Sequence, residues 1–366
     1  MGPYGELAIF DVSPPGYCSF SNNVCKILRT FPKELELKKF KDGDTDIQIK
    51  ESVRGKDVYV FQSYVGPLGE RLYELNNFLD AVKAGGSARR VTVVMPCAFG
   101  ARGERRTRAR QPVPTIVIAK MLKANGADQV LTVGIHTTTI GSIYNAIGLG
   151  FENLEFEYIS AEYIINRLNE NVIVGAADIG GANRAKKIRN LIAEKMGIIL
   201  PVAIADKYRI KANEAEIDNI IGNVEGKDVF LCDDIGDTLG TMVSAARAYK
   251  QKGAQRIFAV LNHAVLGQGY EPRLAQLLDE GLVEELVFGN TIPLKEIALN
   301  HPKVKIVPLE PFVAEAIRRI NQNESISSLH KYLQIMKVYE QYTIGDDPKM
   351  LDLGKTLRMK NVLLTG

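Results

Sequence analysis

The amino-acid sequence predicts an α/β protein of two duplicated domains, each with a mainly parallel sheet flanked by helices. Three observations lead there. Apolar, β-branched runs alternate with amphipathic stretches along the chain. The 366 residues exceed one ordinary core and suit two domains of typical size. A strand–helix–strand segment of the first half recurs in the second.

The strand-like runs are Val58-Tyr59-Val60-Phe61, Val91 to Met95, Val130 to Val133, Val229 to Cys232 and Ile257 to Leu261. Between them lie helix-like segments such as Arg71 to Ala84, Ile116 to Ala124 and Thr241 to Gln251. Strands separated by helices of about 10–15 residues indicate βαβ units. The echo is specific. Gly55-Lys56-Asp57-Val58 recurs as Gly226-Lys227-Asp228-Val229, each opening a strand. After a helix, Arg90-Val91-Thr92-Val93-Val94 is matched by Arg256-Ile257-Phe258-Ala259-Val260. The expected domains are residues 1–155 and 156–330, with a C-terminal extension over 331–366.

Composition sets bounds. Hydrophobic residues make up 46% and charged residues 24%, enough to bury a core without disulfides or metals. A formal charge of +3 offers no global field for nucleic acid, so any basic site must be local. Cys18, Cys25, Cys97 and Cys232 are scattered, without metal-ligand or disulfide spacing, and read as reduced thiols of a cytoplasmic protein. The start MGPYGELAIF does not read as a secretory signal. No stretch approaches the roughly 20 apolar residues of a membrane span.

The most informative segment is Phe230-Leu231-Cys232-Asp233-Asp234-Ile235-Gly236-Asp237-Thr238-Leu239-Gly240-Thr241. A buried strand runs into two carboxylates, then a turn of small and hydroxyl residues, then a helix. Ligands of open α/β sheets sit beyond the carboxyl ends of strands. Helix-start N–H groups and the helix dipole suit a phosphate there, and Thr238 and Thr241 add hydroxyl donors. Asp233 and Asp234 suit the vicinal hydroxyls of a ribose, because ionised carboxylates only accept hydrogen bonds. A plain helix cap would need one acid rather than three acids and two threonines.

The segment resembles the phosphoribosyl-diphosphate loop, Asp-Asp-x-x-Asp-Thr-x-Gly-Thr, shared by type I phosphoribosyltransferases and ribose-phosphate pyrophosphokinases. It matches every fixed position. Further motifs resemble the pyrophosphokinases, over residues 35 to 330. The resemblance implies two phosphoribosyltransferase-like (type I) domains, the first on the ATP side and the second carrying the ribose-phosphate loop. That loop implies ribose-phosphate binding by Asp233, Asp234, Asp237, Thr238, Gly240 and Thr241.

Phe40-Lys41-Asp42-Gly43-Asp44 looks like the family's adenine-binding turn, with Phe40 stacking on the base and Asp42 and Asp44 reading its edge; by itself it is also an ordinary surface turn. Residues 100–110 hold Arg102, Arg105, Arg106, Arg108 and Arg110, whose forks match phosphate oxygens. The resemblance singles out Arg102 and Arg105 for ATP. A solvated charge run or an RNA-binding patch is the competing reading, though no aromatic residues interleave. His136 follows the strand at 130–133, and Asp178-Ile179-Gly180-Gly181 follows an apolar run at 172–174. The family uses a histidine and an aspartate at these places around Mg²⁺ and ATP. Asp206-Lys207-Tyr208-Arg209 resembles its flexible catalytic loop, and Asn323-Glu324-Ser325-Ile326-Ser327 its closing signature.

The implied activity moves a diphosphate from Mg-ATP to the 1-hydroxyl of ribose 5-phosphate, releasing AMP. Such a transfer has a loose transition state with charge on the equatorial oxygens, so it asks for alignment and cations rather than covalent chemistry. Lys207, Arg209, Arg102 and His136 are the candidate catalytic residues, and His136 and Asp178 the candidate Mg²⁺ ligands. A homo-oligomer is implied, with no nucleic-acid or membrane partner. Several positions depart from the pattern: Gly103, Glu104, Gly134, Tyr208, and Leu239 where a small residue is usual. A bulky Leu239 beside the cradle either narrows it or contacts a larger acceptor. Two alternatives follow, a pyrophosphokinase acting on a larger ribosyl phosphate such as ADP-ribose, and a non-catalytic regulatory subunit.

Overall fold

The computed structural model describes residues 2–211 and 214–327, together with 329, 338, 339, 349–351 and 353; for 207–211 and 214–218 the backbone alone is described. The chain forms two compact units, Met1–Glu155 with Glu310–Lys331, and Phe156–Leu309 with Tyr332–Gly366. Sequence reasoning placed 310–330 in the second domain. The helix at Glu310–Gln322 instead belongs to the first unit, because it buries one face against the helix at Ser19–Ile27 and reaches the first sheet. Most of the expected extension at 331–366 lies outside the described residues. Within the second unit Tyr339 donates its hydroxyl to the Pro308 carbonyl at 2.7 Å, and Met350 bridges Ile306.

In the first unit β1 (Leu7–Asp11), α1 (Ser19–Ile27) and the hairpin of β2 (Leu35–Lys39) and β3 (Thr45–Ile49) precede β4 (Asp57–Phe61), α2 (Leu68–Asp80), β5 (Arg90–Val94), α3 (Pro114–Ala124), β6 (Gln129–Val133), α4 (Thr139–Ala146) and β7 (Gly150–Leu154). The five-stranded sheet runs β1-β4-β5-β6-β7 and is wholly parallel. All five residues of β4 are buried, as a parallel strand covered on both faces requires. Phe10, Val60, Phe78, Val93 and Val130 belong to the core between sheet and helices.

The second unit continues with α5 (Glu157–Ile165), β8 (Val172–Ala176), α6 (Ala182–Met196), β9 (Val202–Lys211), β10 (Glu214–Ile221), β11 (Asp228–Ile235), α7 (Gly240–Gln251), β12 (Arg256–His263), α8 (Glu271–Leu278), β13 (Glu285–Gly289), α9 (Glu296–Asn300) and β14 (Val304–Val307). α10 is the helix Glu310–Gln322 of the first unit. The seven-stranded sheet runs β10-β9-β8-β11-β12-β13-β14, parallel except for β10 at its edge. From β8 the chain steps to β9 on one side, then returns to β11 on the other. The strand order therefore reverses between β8 and β11, which opens a crevice at their carboxyl ends.

The sequence echo has a structural counterpart. Arg90 of β5 grips Asp57 of β4 with Nε at 2.8 Å and a terminal nitrogen at 2.6 Å. Arg256 of β12 grips Asp228 of β11 in the same way at 2.9 and 2.6 Å. Each pair ties two neighbouring parallel strands at their starts.

Candidate active site

The acidic pair lies just before the end of β11, at the reversal of strand order. Asp234 is buried and Asp233 half-buried. Both are held by Arg184, in the first turn of α6: one guanidinium nitrogen lies 2.7 Å from Asp233 Oδ1 and the other 3.1 Å from Asp234 Oδ1. The Asp234 N–H also donates to Asp233 Oδ1 at 2.9 Å. Burial pushes Asp233 up to about 7, with Arg184 pulling it down and Asp234 adding to the rise. Asp178 leaves the end of neighbouring β8, caps a short 3₁₀ turn at Ile179–Gly181 and accepts from the Gly181 N–H at 3.1 Å.

The turn after the acidic pair is held by backbone. Gly236 N–H donates to the His263 carbonyl at 2.8 Å, Leu266 N–H to the Gly236 carbonyl at 2.9 Å, and Gly267 N–H to the Asp237 carbonyl at 3.2 Å. Gly267 is needed here, since a Cβ would come within 2.3 Å of an Asp237 carboxylate oxygen. The turn feeds α7, where the Val243 N–H donates to the Leu239 carbonyl at 3.0 Å. The N–H groups ahead of Val243 stand at the helix start, where an α-helix has no carbonyl to offer them. Thr238 and Thr241 flank that start. Arg273 of α8 donates to the Thr238 carbonyl at 3.3 Å, and its guanidinium lies 3.5 Å from where a Gly240 Cβ would stand. This helix start, with Arg273 beside it, has the chemistry to take an anion next to an acidic pair.

Lys207 and Arg209 lie on β9, the other neighbour of β8, opposite Ile217 and Ala215 of β10. The expected lid is thus the outer part of a β-hairpin at the same sheet edge as Asp178 and Asp233. The side chains of Lys207, Tyr208 and Arg209 lie outside the described residues.

In the first unit, the arginine segment follows β5 and His136 follows β6; these are parallel neighbours, so both loops leave one edge of the sheet. Arg102, Arg105 and His136 are exposed. Phe40 sits at the β2–β3 turn, 55% exposed, so its ring face is available to a base. The turn is tied to α2 by Tyr73, whose hydroxyl donates to Asp44 at 2.6 Å; this and the Thr45 N–H hold the Asp44 carboxyl below its ordinary value. Asp42 accepts from the Asp44 N–H at 3.1 Å. Both acids therefore help to shape the turn. His136 and Asp178 belong to different units, and no group of three metal-binding side chains occurs among the described residues.

Known proteins match this arrangement. Residues 13–126 match the N-terminal domain of ribose phosphate pyrophosphokinase, and residues 201–331 the phosphoribosyl synthetase-associated domain. The chain is 40% identical over 311 residues to the ribose-phosphate pyrophosphokinase of Campylobacter jejuni, covering 85% of this chain and 95% of that one. The chain belongs to the ribose-phosphate pyrophosphokinase family. The family member from Helicobacter hepaticus is 37% identical over 310 residues, with 85% and 95% covered. The crystal structure of phosphoribosylpyrophosphate synthetase from Mycobacterium smegmatis superposes with a TM-score of 0.76 at 28% identity, covering 87% of this chain and 99% of that one. The fold is accordingly the family's pair of phosphoribosyltransferase-like domains.

Three of the departures from the family pattern, Gly103, Gly134 and Leu239, have local causes. A Cβ at Gly103 would come within 2.7 Å of the Pro114 ring, so a side chain there requires Pro114 to shift. Gly134 has φ +62°, a conformation that favours glycine. Leu239 also has a positive φ, +61°, which turns its side chain inward; it is 4% exposed and joins the core with Leu261 and Phe288. The expected narrowing of the cradle by Leu239 is therefore corrected. The sequence by itself assigns no site role to Arg184 or Arg273. A cation in the first turn of a helix, against the dipole, was the available signal for Arg184. Arg273 carried none.

Proposed function

We propose that this chain transfers the diphosphate of Mg-ATP to the 1-hydroxyl of ribose 5-phosphate, giving phosphoribosyl diphosphate and AMP. The observation that carries this reading is the cradle at the reversal of strand order, where an anion site at the start of α7 adjoins the Asp233–Asp234 pair. The sugar phosphate takes the helix-start N–H groups and the hydroxyls of Thr238 and Thr241, with Asp237 and Gly240 shaping the turn. Asp233 and Asp234 accept from the ribose hydroxyls, which aligns the 1-hydroxyl for in-line attack on the β-phosphorus. Phe40 stacks on adenine, Asp42 and Asp44 border it, and Arg102, Arg105 and His136 take the phosphate chain. Lys207, Arg209 and Arg102 neutralise charge that grows on the transferring group.

Mg²⁺ is a hard cation that keeps several waters and takes substrate phosphates with one or two protein carboxylates. The half-buried Asp178 carboxylate at the strand edge fits that demand without a three-donor cluster. The imidazole of His136 suits Mg²⁺ less well, and serves the same phosphates as a hydrogen-bond donor. When bound, Mg²⁺ supplies charge neutralisation on the phosphate oxygens. A homo-oligomer in the cytoplasm is part of the proposal. No helix among the described residues is long and apolar enough to cross a membrane.

The buried Leu239 removes the observation that favoured a larger acceptor. The test is AMP release from Mg-ATP with ribose 5-phosphate and, separately, with ADP-ribose. Ribose 5-phosphate should support turnover and ADP-ribose should not. Turnover with ADP-ribose alone would transfer the assignment to the larger acceptor. Failure with every ribosyl phosphate would leave the non-catalytic subunit in its place.

A further inference from the structure

We infer that Arg184 is a positioning residue for the ribosyl substrate: its guanidinium spans Asp233 and Asp234 and holds the two carboxylates aimed at the sugar hydroxyls. The inference rests on the ribose 5-phosphate reading of the loop and adds a residue to it.

The geometry requires a special cause. Consecutive residues of a strand point to opposite faces. Yet one guanidinium reaches both carboxylates, at 2.7 and 3.1 Å, in the last turn of the pleat before β11 closes at Ile235, and the Asp234 N–H also donates to Asp233 Oδ1 at 2.9 Å. Arg184 is 15% exposed, so the contact is well shielded. Stability alone is a poor reason for it. A buried ion pair gains little over an apolar replacement, and a cation in the first turn of α6 opposes the helix dipole. What the arrangement does achieve is to pull the Asp233 carboxyl down against burial and Asp234, and to fix the two adjacent acids in one geometry.

The charged groups around Asp233 come from three elements. Arg184 faces it from α6 and Asp234 from β11; Glu157, at the start of α5, and the Cys232 thiol act on Arg184 as well. Arg184 is the cation among the named influences on Asp233, and burial and Asp234 both work against ionisation. Without Arg184, two carboxylates side by side share a proton, as like charges in one site do. A protonated Asp233 presents an O–H where the sugar needs an acceptor. Loss of Arg184 should then impair use of the sugar most at low pH.

The test is steady-state AMP formation by Arg184→Gln and Arg184→Lys between pH 6 and 9, varying each substrate in turn. Arg184→Gln is expected to raise the KM for ribose 5-phosphate about tenfold at pH 7, to leave the KM for ATP within about twofold, and to move the acid limb of kcat/KM for the sugar up by about one unit. Arg184→Lys should return the acid limb toward its original place while its single point of attachment leaves KM raised. An equal loss for both substrates, or a deficit that does not change with pH, would overturn the inference. If Arg184→Gln does not fold, Arg184→Lys decides: a raised KM for the sugar alone supports the role, and a parental KM sinks it. Calorimetric titration of ribose 5-phosphate keeps this test apart from the proposed activity. A parent that binds the sugar but releases no AMP defeats the activity, while the ratio of parent to variant affinity at pH 7 and pH 9 still decides the role of Arg184.

Discussion

Leu239 shows how one backbone angle redirects a side chain. A left-handed residue other than glycine costs about 1–2 kcal/mol, and burying a leucine contributes about 1.5–3 kcal/mol. The second term offsets the first because the positive φ aims the side chain into the core beside Leu261 and Phe288. Leu239→Ala should therefore lower stability by about 2–5 kcal/mol and leave the choice between ribose 5-phosphate and ADP-ribose as it was. A many-fold change in that choice, measured by AMP release, would put the side chain back in the cradle. Asp233 carries the opposite trade. Its carboxyl lies near 3.8 in the unfolded chain and is raised to about 7 by burial. Its contribution to stability is therefore fully present below the lower value and is lost as pH rises through the upper one. Asp233→Asn removes the charge that the fold tolerates for function. At pH 8 its melting temperature should equal or exceed the parent's, while use of ribose 5-phosphate falls sharply. A variant that melts lower at pH 8 and keeps its KM would reverse the assignment.

At the level of elements, the hairpin of β9 and β10 carries the expected catalytic cations. It extends the parallel sheet by an antiparallel edge strand, and its pairing shifts register between Glu214 and Ala215 and again between Ile217 and Asn219. Such irregularities bend and twist a strand locally. Positions 207, 208 and 209 pair in unbroken register with Ile217, Glu216 and Ala215 of β10. Contacts that strengthen as charge builds raise turnover rather than substrate binding. Lys207→Ala should lower kcat about a hundredfold with little change in either KM. A turnover within a few-fold of the parent would remove the hairpin from the mechanism.

Across the whole molecule, duplication has left the same strand-starting ion pair in each unit under different cover. In the first unit Asp57 is fully buried, the Tyr4 ring lies 3.6 Å from the Arg90 guanidinium, Ile320 of α10 offers its carbonyl at 3.0 Å, and Asn321 donates to Asp57 at 2.9 Å. In the second, Asn169 donates to Asp228 at 2.8 Å, but the Arg256 side chain is 49% exposed. Removing one partner of a buried pair costs about 3–5 kcal/mol, whereas an exposed partner is replaced in part by water. Arg90→Ala should lower the urea midpoint clearly more than Arg256→Ala. Equal shifts would mean that the cover from Tyr4 and α10 contributes nothing.

Read from its amino acids, the chain already declares an α/β alternation, an internal duplication and the ribose-phosphate loop, because each is written in contiguous residues whose spacing reflects local geometry. The run from Asp233 to Thr241 carries its carboxylates, turn residues and helix start within nine positions, so its chemistry is legible without the fold. Long-range closure decided the rest. Arg184 meets Asp233 across 49 positions, Arg273 meets the Thr238 carbonyl across 35, and Tyr59 meets Ile317 across 258, which returns α10 to the first unit. No local pattern encodes such pairings, since they depend on strand order and on helices docking over it. The direction of Leu239 was hidden for a related reason: residue type limits which backbone angles are affordable, and only the packing of β12, β13 and α7 around the turn makes the left-handed one favourable.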